Sequence, residues 1–166
     1  MDEARFGQKG RVCHRWFTRG RRPPGLCDQR YTCTHLFAAA RPATGEAFAL
    51  VLPQVSIAAM SEFLARFAAT LAEDEHAIMV LDRAGWHTAK RLEIPSNVTL
   101  VWLPPYSPQL DPVERVWLCL REKHWSHRLL DTADAIVDAL RRAWNALTAE
   151  RLRSLTSYPY LDQVKI

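Results

Sequence analysis

The spacing of apolar residues along the chain predicts which segments form strands and which form helices. Residues 11–18, 31–40 and 46–52 carry β-branched and aromatic side chains between turn-rich segments, which predicts three antiparallel strands. From residue 56 to residue 72 the apolar positions recur at steps of three and four, as on one face of an amphipathic helix. Those positions are Ile57, Met60, Phe63, Leu64, Phe67 and Leu71.

Two uninterrupted apolar runs in the middle of the chain predict the next strands. The run at 76–81 is apolar on both faces, which is typical of a central parallel strand, and the run at 98–103 predicts its neighbour. Residues 86–92, which lie between them, predict a short helix. We therefore expect the two strands to be joined by a right-handed crossover.

The C-terminal part of the chain predicts helices only. Asp111 and Pro112 suit the N-cap and the first turn of one helix, a second is expected to begin near Asp131 or Thr132, and a short third one spans about 149–155. The predicted order produces an α/β protein with one mixed, five-stranded sheet flanked by helices. It is the order of a ribonuclease-H-like fold, provided that the first strand carries a carboxylate.

Length and composition limit the kind of protein. At 166 residues and 48% hydrophobic, the chain can build one core but not two comfortable domains. No apolar stretch reaches the roughly 18 to 20 residues of a membrane helix, and the N-terminus lacks the apolar segment of a secretory signal. We therefore expect a soluble cytoplasmic protein whose four cysteines, none of them in a C-x-x-C pair, stay reduced.

The net charge of +4 is concentrated at the N-terminal end. Residues 1–30 hold eight basic residues against three acidic ones, a balance of +5, whereas the rest of the chain balances to −1. Guanidinium groups bind phosphates in a fork geometry and release counterions, so a localised arginine-rich segment favours contact with nucleic acid. The candidate DNA contacts are Arg5, Arg11, Arg15, Arg21 and Arg22. The alternative is a solvated hairpin rich in arginine.

Carboxylates follow the two central strands at the point where a site is expected. Asp82 comes directly after the first apolar run, Glu114 follows the second, and Asp2 stands near the N-terminus. Open α/β sheets place their sites at the carboxyl ends of strands, and paired carboxylates there predict a metal-dependent hydrolase or a nuclease. Taken alone, Asp82 and Glu114 could each cap a helix, and Asp2 could be a solvated terminal residue.

Four blocks of sequence occur together in one order: DEARFG from Asp2, LDRAGWH from Leu81, LPPYSP from Leu103 and LDPVERVW from Leu110. In these blocks the chain resembles the catalytic domain of mariner-type DDE transposases, in their bacterial insertion-sequence branch. The likeness runs from Asp2 to about Arg121 and is most specific in the last two blocks. It implies an endonuclease that cleaves and transfers DNA strands in transposition.

The resemblance also implies roles for particular residues. Asp2, Asp82 and Glu114 would be the catalytic, metal-binding carboxylates for Mg²⁺ (or Mn²⁺). Two ions are expected, because a pair activates the nucleophile and stabilises the leaving oxygen. His87 matches a family histidine that would orient a ligand or touch DNA, with a histidine on a surface helix as the alternative. Tyr106 would lie in a rigid loop beside the site and contact DNA.

The implied partners are DNA, as transposon ends and as target, and a second copy of the chain in a homodimeric transposition complex. Neither a membrane nor a small-molecule substrate is expected, and the place of action would be the nucleoid of a bacterial cytoplasm. Trp117 lies on the apolar stripe of its predicted helix and is expected in the core.

The chain departs from the family pattern in three places. Arg83 follows the second aspartate, where a small or amide residue is usual, and Asp111 replaces an asparagine. The interval between Asp82 and Glu114 is slightly shorter than is typical for the group. None of these departures removes a carboxylate.

The position of Asp2 leads to a further expectation. Because Met1 directly precedes it, the first strand is expected to be truncated and the Asp2 carboxylate to sit on a frayed end, poorly arranged for metal binding. Residues 1–166 are then expected to form one catalytic domain that lacks the N-terminal helix-turn-helix modules of full transposases. Two alternatives stay open: an inactive remnant that only binds nucleic acid or partner chains, and a general nuclease of the same fold.

Overall fold

The computed structural model describes residues 1–9, 16–21, 28–126 and 128–158, and its strands and helices form an α/β fold. In chain order the elements are β1 (Asp2–Gly7), β2 (Cys33–Ala40), β3 (Ala47–Leu52), α1 (Ile57–Ala68), β4 (Ala77–Leu81), β5 (Val98–Trp102), α2 (Val113–Leu120), α3 (Ala133–Asn145) and α4 (Ala149–Thr156). A single 3₁₀ turn, Pro108–Leu110, precedes α2, and a π-helical turn, Arg121–Trp125, continues it.

The first strand is β1, and it lies earlier in the chain than predicted. Of the segment predicted as the first strand, residues 11–15 lie outside the described part of the chain and residues 16–18 are not in a strand. All six residues of β1 pair antiparallel with β2, from Asp2 opposite Ala38 to Gly7 opposite Cys33. The expectation that Asp2 sits on a frayed end is therefore wrong, because the pairing with β2 anchors this strand along its length.

The strands form two sheets where one five-stranded sheet was expected. An antiparallel sheet has the order β1-β2-β3, and β4 pairs with β5 in parallel. The amino group of Met1 donates to the carbonyl oxygen of Val80 over 2.8 Å and so brings the start of β1 beside β4. The two sheets are therefore neighbours at this junction.

Helices cover the antiparallel sheet on both faces, because its side chains alternate. On one face Phe6 and Leu36 pack against α2, α3 and α4. On the other, Phe37 packs with Phe63 of α1 and with apolar residues of β4 and β5. Each fully buried side chain of this size stabilises the fold by roughly 1.5–3 kcal/mol. The two cores therefore fix β1 between the helices of one face and the parallel strands of the other.

The predicted helices of the described chain are present, with one exception. Ser56, Thr132 and Thr148 cap α1, α3 and α4, each with its hydroxyl accepting a backbone N–H over 3.1 Å. The exception is the helix predicted at 86–92, where the chain forms turns. No helix among the described residues is long and apolar enough to cross a membrane.

The parallel pair β4–β5 is buried on one face only, which corrects the expectation of a central strand. Ile78 is 63% exposed, and Val80 and Val101 are exposed beside it. Met79 and Leu81, which point the other way, are buried against the α1 side of the fold. The reason is that α2, α3 and α4 pack on the antiparallel sheet, so α1 alone covers β4 and β5.

A tight turn brings the β2–β3 hairpin against the start of α4. Gly45 has a φ of +78° in this turn, a conformation that favours glycine. A Cβ atom at Gly45 would also overlap the carbonyl group of Ala149. The turn therefore requires glycine for two separate reasons.

Candidate active site

The carboxylates predicted as site residues line a single open cleft of about 440 Å³. The start of β1, the end of β4, the loop after β5 and the start of α2 form its walls. The lining residues are Asp2, Asp82, Arg83, Ala84, Leu103, Pro104, Pro105, Tyr106, Ser107, Pro108, Asp111 and Glu114. Residues far apart in the sequence thus meet where three strands and a helix converge.

Asp2 is held against α2 by a buried tryptophan. The indole nitrogen Nε1 of Trp117 donates to Oδ2 of Asp2 over 2.7 Å. Trp117 is 1% exposed, as expected of a core residue, but its bond to the site was not predicted. Burial of the Asp2 carboxyl, together with the negative charges of Asp111 and Glu114, raises its pKa to about 7 against the opposing effect of the Trp117 bond.

Asp82 follows β4 directly, and one of its oxygens has two hydrogen-bond partners. Oδ1 accepts from the backbone N–H of Ala84 over 2.9 Å and lies 2.7 Å from Nδ1 of His87. Among the described residues none donates to Oδ2. The Asp82 side chain is 58% exposed, so the unbonded oxygen belongs to a carboxylate that is open to the cleft.

His87 lies behind Asp82, between two carboxylates. Its Nε2 is 2.7 Å from Oε1 of Glu3, and the ring is 1% exposed. Burial lowers the pKa of His87, but the hydrogen bonds and charges of Glu3 and Asp82 outweigh it, so the pKa is raised overall. The alternative of a surface helix is therefore wrong for His87, because the ring is buried in a turn. The DNA contact stays a prediction. The position of His87 suits the other predicted role, orientation of Asp82.

Glu114 lies on the first turn of α2 and is exposed. The capping bond expected of it is made by Asp111, whose Oδ1 accepts from the backbone N–H of Val113 over 2.9 Å. No hydrogen bond joins the Glu114 carboxylate to another described residue. Its partial burial and the charge of Asp111 raise its pKa. Glu114 is thus an acceptor without a donor at the edge of the cleft.

Asp111 is a fourth carboxylate in the cleft and is 5% exposed. Burial is the main cause of its raised pKa, and the charges of Asp82 and Glu3 add to it. The sequence marked Asp111 only as a helix start, since an aspartate before a proline is a common N-cap signal. Asp111 raises the pKa of Asp2 and of Glu114 because the fold brings its charge close to them, and the sequence alone does not show that proximity.

The proline-rich loop after β5 forms one lip of the cleft. Tyr106 is fully exposed there and has a φ of +56°, an uncommon conformation for a residue with a side chain. The hydroxyl of Ser107 donates to the carbonyl oxygen of Pro105 over 3.3 Å, and Arg83 from the facing segment donates to the carbonyl of Leu103. These bonds hold the loop across the end of β5.

The basic residues predicted to contact DNA lie outside the cleft where they are described. Arg5 on β1 is exposed and donates to the carbonyl oxygen of Tyr31 over 3.5 Å, and Arg21 is exposed in the following segment. The other three, Arg11, Arg15 and Arg22, lie outside the described residues.

The chemistry of the cleft suits a hard divalent cation. Its acidic side chains offer oxygen atoms only, which are the ligands that Mg²⁺ and Mn²⁺ prefer. Burial of the Asp2 carboxyl is the main cause of its raised pKa, and the negative charges of Asp111 and Glu114 add to it; a cation in the cleft would offset those charges. Within the part of the chain that the structure describes, no three His, Cys, Asp or Glu side chains are close enough together to hold an ion as they stand. Metal binding thus requires a change of at least one side-chain conformation.

The fold and the carboxylate cleft together are those of a nuclease-like α/β protein. Residues 1–137 match the DDE superfamily endonuclease family, and the chain belongs to that family. It is 42% identical over 113 residues to the uncharacterised protein y4pE/y4sA of Sinorhizobium fredii (strain NBRC 101917 / NGR234), an alignment that covers 68% of this chain and 84% of the relative.

Solved structures of Mos1 transposase have the same fold. A paired-end complex with the left transposon end matches with a TM-score of 0.69 at 17% identity, covering 93% of this chain and 49% of that one. A strand transfer complex matches with a TM-score of 0.63 at 16% identity, covering 93% and 48%. A paired-end complex with Mn matches with a TM-score of 0.68 at 16% identity, covering 93% and 50%. The chain spans about half the length of these transposase chains.

Proposed function

We propose that residues 1–166 form the catalytic domain of a mariner-type transposase that cleaves and transfers DNA strands with the help of divalent metal ions. The observation that carries the proposal is the convergence of Asp2, Asp82 and Glu114, from three separate segments, on one cleft. Membership of the DDE endonuclease family supports the reaction class.

The three carboxylates would hold the metal, and the geometry of the cleft suggests which of their oxygen atoms are available to bind it. Asp82 offers its unbonded Oδ2 while His87 and Ala84 hold Oδ1. Glu114 has no described partner and is exposed, so it is the side chain that turns toward the ion. When bound, Mg²⁺ or Mn²⁺, as one ion or two, would activate the attacking hydroxyl and stabilise the leaving oxygen. The Mos1 complex with Mn supports a divalent ion.

DNA is the proposed substrate and partner. Exposed Arg5 and Arg21 are the described candidates for contacts to the phosphate backbone, and Arg11, Arg15 and Arg22 would extend the same basic segment. Tyr106 stands fully exposed on the lip of the cleft, where a DNA strand entering the site would pass. The Mos1 paired-end complex with the left transposon end supports transposon ends as the substrate. A homodimer as the active assembly is part of the same proposal.

The proposal is tested by nicking of supercoiled plasmid DNA by the purified chain with Mg²⁺ or Mn²⁺. Asp82→Asn is expected to abolish nicking, because it removes a charged ligand. Asp74→Asn is the matched control, since Asp74 is an exposed aspartate outside the cleft. Retained nicking in Asp82→Asn would contradict the assignment. DNA binding without nicking in the unmodified chain would favour the inactive, DNA-binding alternative.

A further inference from the structure

A second acidic residue of β1 lies behind the cleft and has no part in the proposed reaction. Glu3 follows Asp2, and because side chains alternate along a strand the two carboxylates point to opposite faces of β1. The side chain of Glu3 is 5% exposed. Burial of a carboxylate is costly unless it is paired and hydrogen-bonded, so its partners determine what it does.

Two adjacent aromatic residues contact the Glu3 carboxylate. Nε2 of His87 lies 2.7 Å from its Oε1, and Nε1 of Trp86 donates to the same oxygen over 3.3 Å. The rings of Trp86 and His87 pack edge to face with their centroids 5.7 Å apart. Glu3 thus holds the His87 ring by a hydrogen bond at one nitrogen, while the neighbouring indole restricts its tilt.

The opposite edge of the His87 ring reaches the cleft. Nδ1 lies 2.7 Å from Oδ1 of Asp82, the oxygen that also accepts from Ala84. The chain of bonds runs from buried Glu3 through buried His87 to a half-exposed carboxylate. It leaves one defined oxygen of Asp82, Oδ2, without a described donor.

We propose that Glu3 is a positioning residue that acts through His87 to fix the orientation of the Asp82 carboxylate, and thereby sets the affinity of the cleft for a divalent cation. The inference rests on the proposed function, since it takes Asp82 to be a metal ligand. A metal-ligating carboxylate that is oriented by an outer hydrogen bond loses about 10- to 100-fold in metal affinity when that bond is removed. A carboxylate held at one oxygen offers the other in a single direction, which lowers the entropy lost on binding.

The test is a calorimetric titration of the metal-free chain with Mn²⁺. Glu3→Ala and His87→Ala are each expected to weaken binding by about 10- to 100-fold. If Glu3 acts through His87, the double variant binds no more weakly than His87→Ala alone, because residues in one network are not additive. If the fold-losses in Mn²⁺ affinity of the two single variants multiply in the double variant, Glu3 does not act through His87 and the inference is overturned.

Gln8→Ala separates positioning from simple structural support. Gln8 is 4% exposed directly after β1, where it donates to the carbonyl of Leu130 over 2.8 Å and accepts from the N–H of Thr32. Its loss is expected to lower the melting temperature without changing Mn²⁺ affinity. If Glu3→Ala lowers the melting temperature and leaves Mn²⁺ affinity unchanged in the same way, Glu3 is only structural and the inference is wrong.

Two further measurements distinguish a failure of the inference from a failure of the proposed function. An unmodified chain that binds no Mn²⁺, or Asp82→Asn that binds it equally well, would overturn the metal site and the inference with it. Weak binding by Asp82→Asn beside normal binding by Glu3→Ala would overturn the inference alone. Where Glu3→Ala does not fold, nitrogen-15 spectra of the unmodified chain decide: a slowly exchanging proton on Nε2 of His87 supports the bond to Glu3, and a rapidly exchanging one overturns it.

Discussion

The indole nitrogen of Trp117 and the carboxylate of Asp2 are joined by a hydrogen bond of 2.7 Å. The bond connects β1 to α2, which follows β4 and β5 in the chain. It makes a core residue part of the electrostatics of the cleft, since a donor to the ionised carboxylate stabilises its charge. Trp117 therefore has a second role besides packing.

Trp117→Phe is expected to raise the pKa of Asp2 above its present value of about 7, because the substitution removes the donor and keeps an aromatic ring. The acid limb of metal-dependent nicking then moves to higher pH, which a pH profile of the nicking rate measures. Trp125→Phe is the matched control, since Trp125 also packs on Phe6 but donates to the carbonyl of Gly7. Equal shifts in both variants would assign the effect to packing.

Asp111→Asn is expected to move the acid limb of the pH profile of nicking to lower pH. The amide keeps an oxygen that accepts from the N–H of Val113, while the negative charge that raises the pKa of Asp2 is removed. Nicking should therefore persist to lower pH than in the unmodified chain. Asp134→Asn, an exposed aspartate in the first turn of α3, controls for a general change of charge. An unchanged profile in Asp111→Asn would show that the two carboxylates are not coupled.

Asp2 also predicts a pH dependence of stability in metal-free buffer. Its folded pKa is raised from 3.8 to about 7, so the folded chain binds the proton more tightly than the unfolded one. The resulting stabilisation is complete below about pH 4 and is lost as the pH rises through about 7, by at most about 4 kcal/mol. Asp2→Asn should therefore match the unmodified chain in melting temperature at pH 4 and exceed it at pH 8. Asp74→Asn should show no such pH-dependent gain, and the idea fails if Asp2→Asn shows none.

Gly45→Ala is expected to destabilise the fold more than Gly20→Ala. Both glycines have positive φ, and the left-handed conformation alone costs an alanine roughly 1–2 kcal/mol. At Gly45 the added methyl group would also meet the carbonyl of Ala149, whereas at Gly20 no atom of the described residues lies within 4 Å of it. Urea denaturation of the two variants measures the difference. If the two variants lose the same free energy of unfolding, the β2–β3 hairpin can move away from α4 at no cost in stability.

Local signals in the sequence were sufficient to predict most helices and strands and some of the residues that line the candidate cleft. Ser56 and Thr132 mark helix starts because the capping bond involves residues only three apart. Asp82 was identifiable because it ends an uninterrupted apolar run. These features need no knowledge of the rest of the fold.

The features that the sequence did not reveal depend on contacts across the chain. β1 has only Ala4 and Phe6 buried among its six residues, so its apolar signal is weak and its pairing with β2 defines it. The bond from Glu3 to His87 spans 84 positions, and no spacing rule connects them. A glutamate beside a predicted catalytic aspartate was the available hint, because strand alternation turns it toward the opposite face.

The contact between Trp117 and Asp2 gives the molecule its own optical reporter. Indole emission responds to the electric field at the ring, and Nε1 of Trp117 donates directly to the carboxylate that would gain a proton or, under the proposed function, bind a cation. The difference in fluorescence between the unmodified chain and Trp117→Phe should therefore follow the charge on Asp2 directly. Occupancy of the cleft can then be read in solution without a label and without DNA.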